Sequence, residues 1–129
     1  MTNDSLKDKK ILIVEDDLSS RLYLNKILEK SEVIILNASD GQEAVDIARA
    51  NPDIDIILLD IQLPVMDGYS TARKIREFRE GIIIIAQTAY GLMDEKDKIM
   101  DSGFDDYLIK PIISQVLIGK LKSNLARRR

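Results

Sequence analysis

The sequence predicts a doubly wound α/β domain in which five short parallel strands alternate with five amphipathic helices. Three observations predict it. Apolar runs of strand length recur along the chain with little interruption, the pattern of strands covered on both faces. The stretches between them carry apolar residues at helical spacing, with capping residues where the period changes. Polar stations, Glu15-Asp16-Asp17, Asp60, Thr88 and Lys110, follow directly on the apolar runs, so all emerge at the carboxyl edge of one sheet, where such folds place their sites.

Ile11-Leu12-Ile13-Val14 reads as the first strand, and Leu18 to Lys30 as the first helix, with Leu18, Leu22, Leu24, Ile27 and Leu28 on or near one face. Val33-Ile34-Ile35-Leu36 is the second strand. Asp40-Gly41-Gln42-Glu43 has the form of a capping box opening a helix through Ala50, which Asn51-Pro52 closes. Ile54 to Leu59 is the third strand, and Asp67-Gly68 opens a third helix toward Phe78. Ile82-Ile83-Ile84-Ile85 is the fourth strand. Leu92 to Asp101 forms the fourth helix, with Gly103 as its left-handed stop. Tyr107-Leu108-Ile109 is the last strand, and Ser114 caps a fifth helix running toward Leu125. Gly119 inside that helix costs ~1 kcal/mol against alanine. It reads as a point of close packing or as the mark of a weak, partner-stabilised helix. Residues 1–129 are expected to form one domain with its core in 10–125, flanked by a polar tail, 1–9, and a basic one, 126–129.

Composition removes several function classes. The chain has no cysteine, which excludes disulfides and thiolate metal sites, and no histidine, which excludes imidazole ligation and histidine general-base chemistry. A net charge of -3, with basic residues clustered only at Arg127-Arg128-Arg129, argues against direct nucleic-acid binding. No apolar run approaches the length of a membrane span, and residues 1–10 are polar and charged, so neither membrane insertion nor a signal sequence is expected and the expected location is cytoplasmic.

The polar stations define the candidate chemistry. Carboxylates converging on one sheet edge repel one another and need a cation. Each station also has a bland reading. Asp17 is expected to be the N-cap of the first helix, and Asp67 the cap of the third. Glu15 and Asp16 face Asp60 and read as cation ligands. Thr88 alone would be an ordinary strand residue, and Lys110-Pro111 alone a turn dipeptide.

Taken together, Val14-Glu15-Asp16-Asp17, Leu59-Asp60-Ile61-Gln62-Leu63-Pro64-Val65-Met66-Asp67-Gly68, Thr88-Ala89 and Asp106-Tyr107-Leu108-Ile109-Lys110-Pro111 resemble the signature of bacterial response-regulator receiver domains of two-component signalling. The resemblance spans the chain from about Ile11 to Leu125. It implies a flavodoxin-like sheet of order 2-1-3-4-5. It further implies that Asp60 accepts a phosphoryl group as nucleophile. Mg²⁺ is the implied cofactor, ligated directly by Asp16 and Asp60, through water by Glu15, and by the backbone carbonyl of Gln62. Lys110 and Thr88 would contact phosphoryl oxygens, and without phosphate Lys110 would pair with Asp60 across a cis Lys110-Pro111 bond. Thr88 and Tyr107 would form the switch that alters the face made by helix four, strand five and helix five, which holds Met93, Met100, Ile112, Ile113, Val116 and Leu117. Gln62 and Tyr90 occupy positions that gate water's approach to the acyl phosphate.

The partners implied are a sensor histidine kinase or histidine phosphotransfer protein, a downstream output domain or protein, and a second copy of the chain through the same face. Gln87-Thr88-Ala89-Tyr90 resembles receivers attached to hybrid kinases. The expected role is a phosphoacceptor switch and not an enzyme, apart from self-catalysed phosphotransfer and dephosphorylation. Two competing classes are a phosphorylation-independent receiver-like scaffold and an aspartate-nucleophile phosphohydrolase of the haloacid-dehalogenase type. The second wants an acid where this chain has Gln62, and no glycine-rich nucleotide-binding pattern follows any strand.

Overall fold

The computed structural model describes residues 6–89 and 93–128, with the side chains of Met93 and Asp94 outside the description. Tyr90, Leu92 and Arg129 therefore lie outside the described residues, as does the Met93 side chain. The elements run β1 (Lys10–Val14), α1 (Leu18–Glu29), β2 (Ile34–Ala38), α2 (Gly41–Ala50), β3 (Ile56–Asp60), α3 (Gly68–Phe78), β4 (Ile83–Thr88), α4 (Met93–Asp101), β5 (Asp106–Ile109) and α5 (Ser114–Arg127). The five strands form one parallel sheet in the order β2-β1-β3-β4-β5, as expected.

Strand alternation builds two cores, one on each side of the sheet. Leu12, Val14, Ile57, Leu59, Ile84 and Ala86 pack with residues of α2, α3 and α4. Their neighbours in sequence, Ile11, Ile13, Ile56, Leu58, Ile83 and Ile85, pack on the other side with Leu24 and Leu28 of α1 and Leu117 and Leu121 of α5. Burial on both faces is why these strands read as unbroken apolar runs.

Aspartates set the helix starts. The Asp17, Asp40 and Asp67 carboxylates accept from the backbone amides of Ser20, Glu43 and Ser70, each at 2.8 Å. The Glu43 carboxylate reaches back to the amide of Ser39 at 2.6 Å, so the capping box closes one residue earlier than its simplest form. Gly103 holds φ +92, the left-handed stop expected after α4.

Several expectations are corrected. Leu18 and Leu22 are 57% and 56% exposed, and only Leu24 and Leu28 of the predicted α1 face are buried. α1 shares its side of the sheet with α5, and of its apolar residues only Leu24 and Leu28 reach the buried core there. Ser114 is the first residue of α5, while Ile113 holds the cap position with no side-chain cap bond. Close packing at Gly119 is absent, since a methyl group there would meet nothing within 4 Å. β4 continues to Thr88 because Gln87 and Thr88 are buried, so polarity does not end the strand. β2 is an edge strand, and Ile34 is exposed where burial on both faces was expected. Among the described residues, no helix is long and apolar enough to cross a membrane.

Candidate phosphoacceptor site

Strand register places the polar stations side by side. Val14 pairs with Leu59, Asp60 with Gln87, and Thr88 with Ile109, so Glu15, Asp60, Thr88 and Lys110 leave neighbouring strands at one edge. The ladder extends past the strand ends. The amide of Glu15 donates to the carbonyl of Ala38 at 3.0 Å, that of Ile61 to Gln87 at 3.0 Å, and that of Lys110 to Thr88 at 2.7 Å. The Lys110–Pro111 peptide bond is cis.

At the centre is an ammonium shared by two acids. Lys110 Nζ lies 2.6 Å from Asp60 Oδ2 and 3.2 Å from Glu15 Oε1. The other oxygen of Asp60 accepts from the amide of Gln62 at 2.9 Å, and the other oxygen of Glu15 from the amide of Asp17 at 3.2 Å. Asp60 and Glu15 are buried, whereas Asp16 is exposed at the mouth. One carboxylate oxygen from each of Glu15, Asp16 and Asp60 lies within 4.8 Å of the others.

Three carboxylates against one ammonium leave a net negative edge. Burial raises the Glu15 carboxyl above its ordinary range, the charge of Asp60 adds to that rise, and Lys110 and the Asp17 amide only partly offset it. Burial alone would lower the Lys110 ammonium, but hydrogen bonding and charge from Asp60, then from Glu15, outweigh it and raise the group. The arrangement is an oxygen-only donor set with excess negative charge, open on the Asp16 side, which suits a hard divalent cation.

The β3–α3 loop closes over the site on tight backbone contacts. The amide of Gly68 donates to the carbonyl of Ile61 at 2.8 Å, and a β-carbon at Gly68 would lie 2.6 Å from the carbonyl oxygen of Asp60. Glycine is therefore required by close approach. Val65 sits at φ 70 and is 90% exposed, with the Met66 amide donating to the Pro64 carbonyl at 2.7 Å. This γ-turn holds a β-branched residue at positive φ, a strained arrangement in the loop between β3 and α3.

Thr88 is buried at the end of β4. Tyr107 is half-buried on β5, paired in register with the small Ala86. The Lys120 and Lys96 ammonium groups lie 4.4 Å and 5.9 Å from the centre of its ring. Gln62 is exposed beside Asp60, and Asp17 and Asp67 serve as helix caps. Of the predicted α4-β5-α5 face, Met100, Ile113 and Val116 are exposed, while Ile112 and Leu117 belong to the core. Two features escaped sequence reasoning. One is the hydrogen bond from the Tyr69 hydroxyl to Glu95, which ties α3 to α4 beneath the Lys98 ammonium. The other is Gln87, a wholly buried amide whose signal is an uncharged polar residue at an inward strand position.

Comparison with known proteins agrees with this geometry. Residues 11–122 match the family model of the response regulator receiver domain. The chain belongs to that family. The transcriptional regulatory protein SrrA of Staphylococcus aureus is 39% identical over 117 residues, which cover 91% of this chain and 48% of that protein. The chain spans about half the length of the curated relatives it matches. Among solved structures, the receiver domain of the Pseudomonas aeruginosa sensor histidine kinase PA1611, with a magnesium ion coordinated in its active-site cleft, superposes with TM-score 0.83 at 34% identity. It covers 90% of this chain and 96% of that one. A chain of the Saccharomyces cerevisiae complex between the phosphotransfer protein Ypd1 and the receiver domain of Ssk1 gives TM-score 0.84 at 33% identity, covering 90% and 88%.

Proposed function

We propose that this receiver domain takes a phosphoryl group on the Asp60 carboxylate from a phosphohistidine of a sensor histidine kinase or histidine phosphotransfer protein. The observation that carries the reading is the Lys110 ammonium held between Asp60 and Glu15 at the carboxyl edge of the sheet. A carboxylate is a poor nucleophile toward an anionic phosphoryl group, so the surroundings must neutralise charge and fix the line of attack. The Gln62 amide orients Asp60 by holding Oδ1, while Oδ2 is masked by Lys110 until an incoming phosphoryl oxygen competes for the ammonium. Lys110 then follows the new negative charge, and the Thr88 hydroxyl donates to a second oxygen. Glu15, Asp16 and Asp60, with the backbone carbonyl of Gln62, would hold Mg²⁺, which when bound supplies positive charge to offset the carboxylates and the phosphoryl oxygens.

Output is read from the other side of β4. Drawing Thr88 toward the phosphoryl group frees the space beside Ala86 for Tyr107, whose ring leaves the two lysines and changes the face formed by α4, β5 and α5. Exposed Met100, Ile109, Ile113 and Val116 make that face apolar enough for an output domain or a second copy of the chain. The domain, read as one unit over 1–129, acts in the cytoplasm without touching nucleic acid itself, and its only turnover is self-catalysed phosphoryl transfer and loss. Intact mass after incubation with acetyl phosphate tests the reading. One phosphoryl adduct is expected, absent in Asp60→Asn and on chelation of Mg²⁺; an adduct that survives in Asp60→Asn would refute it.

A further inference from the structure

Among its described side chains, α4 buries only Ile99, whereas each of the other helices buries at least two residues. A helix with so little apolar anchorage is one that a small change in its polar contacts can move. Two tyrosines on neighbouring elements supply such contacts. From α3, the Tyr69 hydroxyl donates to the Glu95 carboxylate, and the Lys98 ammonium, three residues further along α4, lies 4.5 Å from the centre of the same ring. From β5, the Tyr107 ring has its centre 5.9 Å from the ammonium of Lys96, the residue next to Glu95. One stretch of α4 is thereby tied both to the start of α3 and to the switch aromatic.

Tyr69 is fixed on its own side. It follows Gly68, whose amide donates to the carbonyl of Ile61 at 2.8 Å and which leaves no room for a β-carbon against the Asp60 carbonyl. The Phe104 ring meets the Tyr69 ring edge-on, with centres 5.9 Å apart. Burial raises the Tyr69 hydroxyl above its ordinary range, and the bond to Glu95 and the charges of Glu95 and Asp67 raise it further, so the phenol remains a proton donor. The two tyrosines differ in what phosphorylation does to them. The proposed switch carries Tyr107 away from Lys96 and so loosens α4 on the β5 side. Tyr69 and Glu95 take no part in that chemistry, and their bond is left holding the helix. Phenylalanine would fill the ring's place and keep the contacts with Lys98 and Phe104, so the hydroxyl alone makes the bond.

We propose that the Tyr69–Glu95 hydrogen bond is a latch that holds α4 in the arrangement in which Lys110 pairs with Asp60, and so sets how readily the receiver switches. The inference rests on the receiver reading above and adds a regulator of the same site. Tyr69 is a positioning residue, since it touches no reacting atom and acts through α4. Because the bond favours one state of the helix, its loss strengthens the binding of any group that favours the other, by the factor the bond supplied.

Beryllofluoride, a phosphoryl mimic, is the probe, titrated with Mg²⁺ into the isotope-labelled full chain and followed by amide resonances. Tyr69→Phe should bind it about three- to tenfold more tightly than the parent. Glu95→Gln, which leaves a weaker acceptor, should shift binding the same way by less, and the double variant should match Tyr69→Phe alone, because both substitutions act through one bond. Without the mimic, the amides of Ile99 and Met100 in Tyr69→Phe should exchange with solvent about threefold or more faster, while that of Ile75 in α3 keeps its rate. Glu95→Gln carries both comparisons should Tyr69→Phe fail to fold. Mimic binding that is unchanged or weakened in the folded variants, effects of the two substitutions that add, or unchanged exchange in α4 would overturn the latch. A parent that does not bind the mimic, or that binds it equally in Asp60→Asn, would overturn the receiver reading and the latch with it, whereas binding that requires Asp60 leaves the latch to be decided by the variants.

Discussion

Lys110 bridges the two buried carboxylates of the site, and replacing it with methionine removes the charge while keeping an unbranched side chain. Two carboxylates then lose charge-assisted bonds of 2.6 and 3.2 Å, with the Asp60 and Glu15 side chains 6% and 1% exposed. Removing one partner of a fully buried pair costs about 3–5 kcal/mol, and an exposed pair is worth about 0–1 kcal/mol. With the lysine side chain 28% exposed and the Asp16 side open, the expected cost of Lys110→Met near neutral pH is about 2–3 kcal/mol. Protons relieve it. The folded Glu15 carboxyl already sits above its ordinary value, so it disfavours folding as pH rises through the interval between the unfolded and the raised folded values, and ceases to do so below it. The loss of Lys110 widens that interval, and the variant should regain stability as pH falls toward about 5. Mg²⁺ should also stabilise the variant more than the parent. Urea unfolding followed by circular dichroism, at both pH values and with Mg²⁺, reads all of this. A cost below about 0.5 kcal/mol, or one that simply adds to that of Asp60→Asn, would refute the reasoning.

Three further outcomes follow from individual side chains. Gly119→Ala should stabilise the fold by about 0.5–1 kcal/mol in chemical unfolding, because the added methyl meets open space in the middle of α5. Gly68→Ala should cost about 1–3 kcal/mol and displace the β3–α3 loop, seen as shifted amide resonances of Ile61 and Gln62, because its β-carbon would overlap the Asp60 carbonyl. Burial works to raise the Asp106 carboxyl, but bonds from Asn124, the Tyr107 amide and Lys120 outweigh it and hold the group below its ordinary value. It therefore stabilises the fold above the unfolded carboxylate pKa and loses that contribution as pH falls through the lower folded value. Asp106→Asn should cost about 1–2 kcal/mol at neutral pH, and the difference should close as pH falls below the ordinary carboxylate range in an acid titration followed by circular dichroism.

The sheet was legible because strands buried on both faces leave continuous apolar runs, and the helix starts because aspartate caps leave a local mark at Asp17, Asp40 and Asp67. What stayed hidden depends on contacts distant in sequence. Periodicity assigned Leu18 and Leu22 to the core face, yet which apolar residues of α1 reach the sheet depends on tertiary packing that no local pattern carries. Gly119 could be read as packed or unpacked until its neighbours were known, and the end of β4 was masked by buried Gln87 and Thr88. The site's residues were named by their order along the chain. The sharing of Lys110 between Asp60 and Glu15 needed the register of β1, β3 and β5.

Borohydride trapping tests the central claim most directly, because it reduces an acyl phosphate to an alcohol at the acceptor itself. After phosphoryl transfer from acetyl phosphate with Mg²⁺, peptide mass mapping should find homoserine in place of aspartate at position 60 and nowhere else. Reduction at Asp16 or Asp17 in place of Asp60, or no reduced residue despite a phosphoryl adduct in the intact mass, would contradict the account.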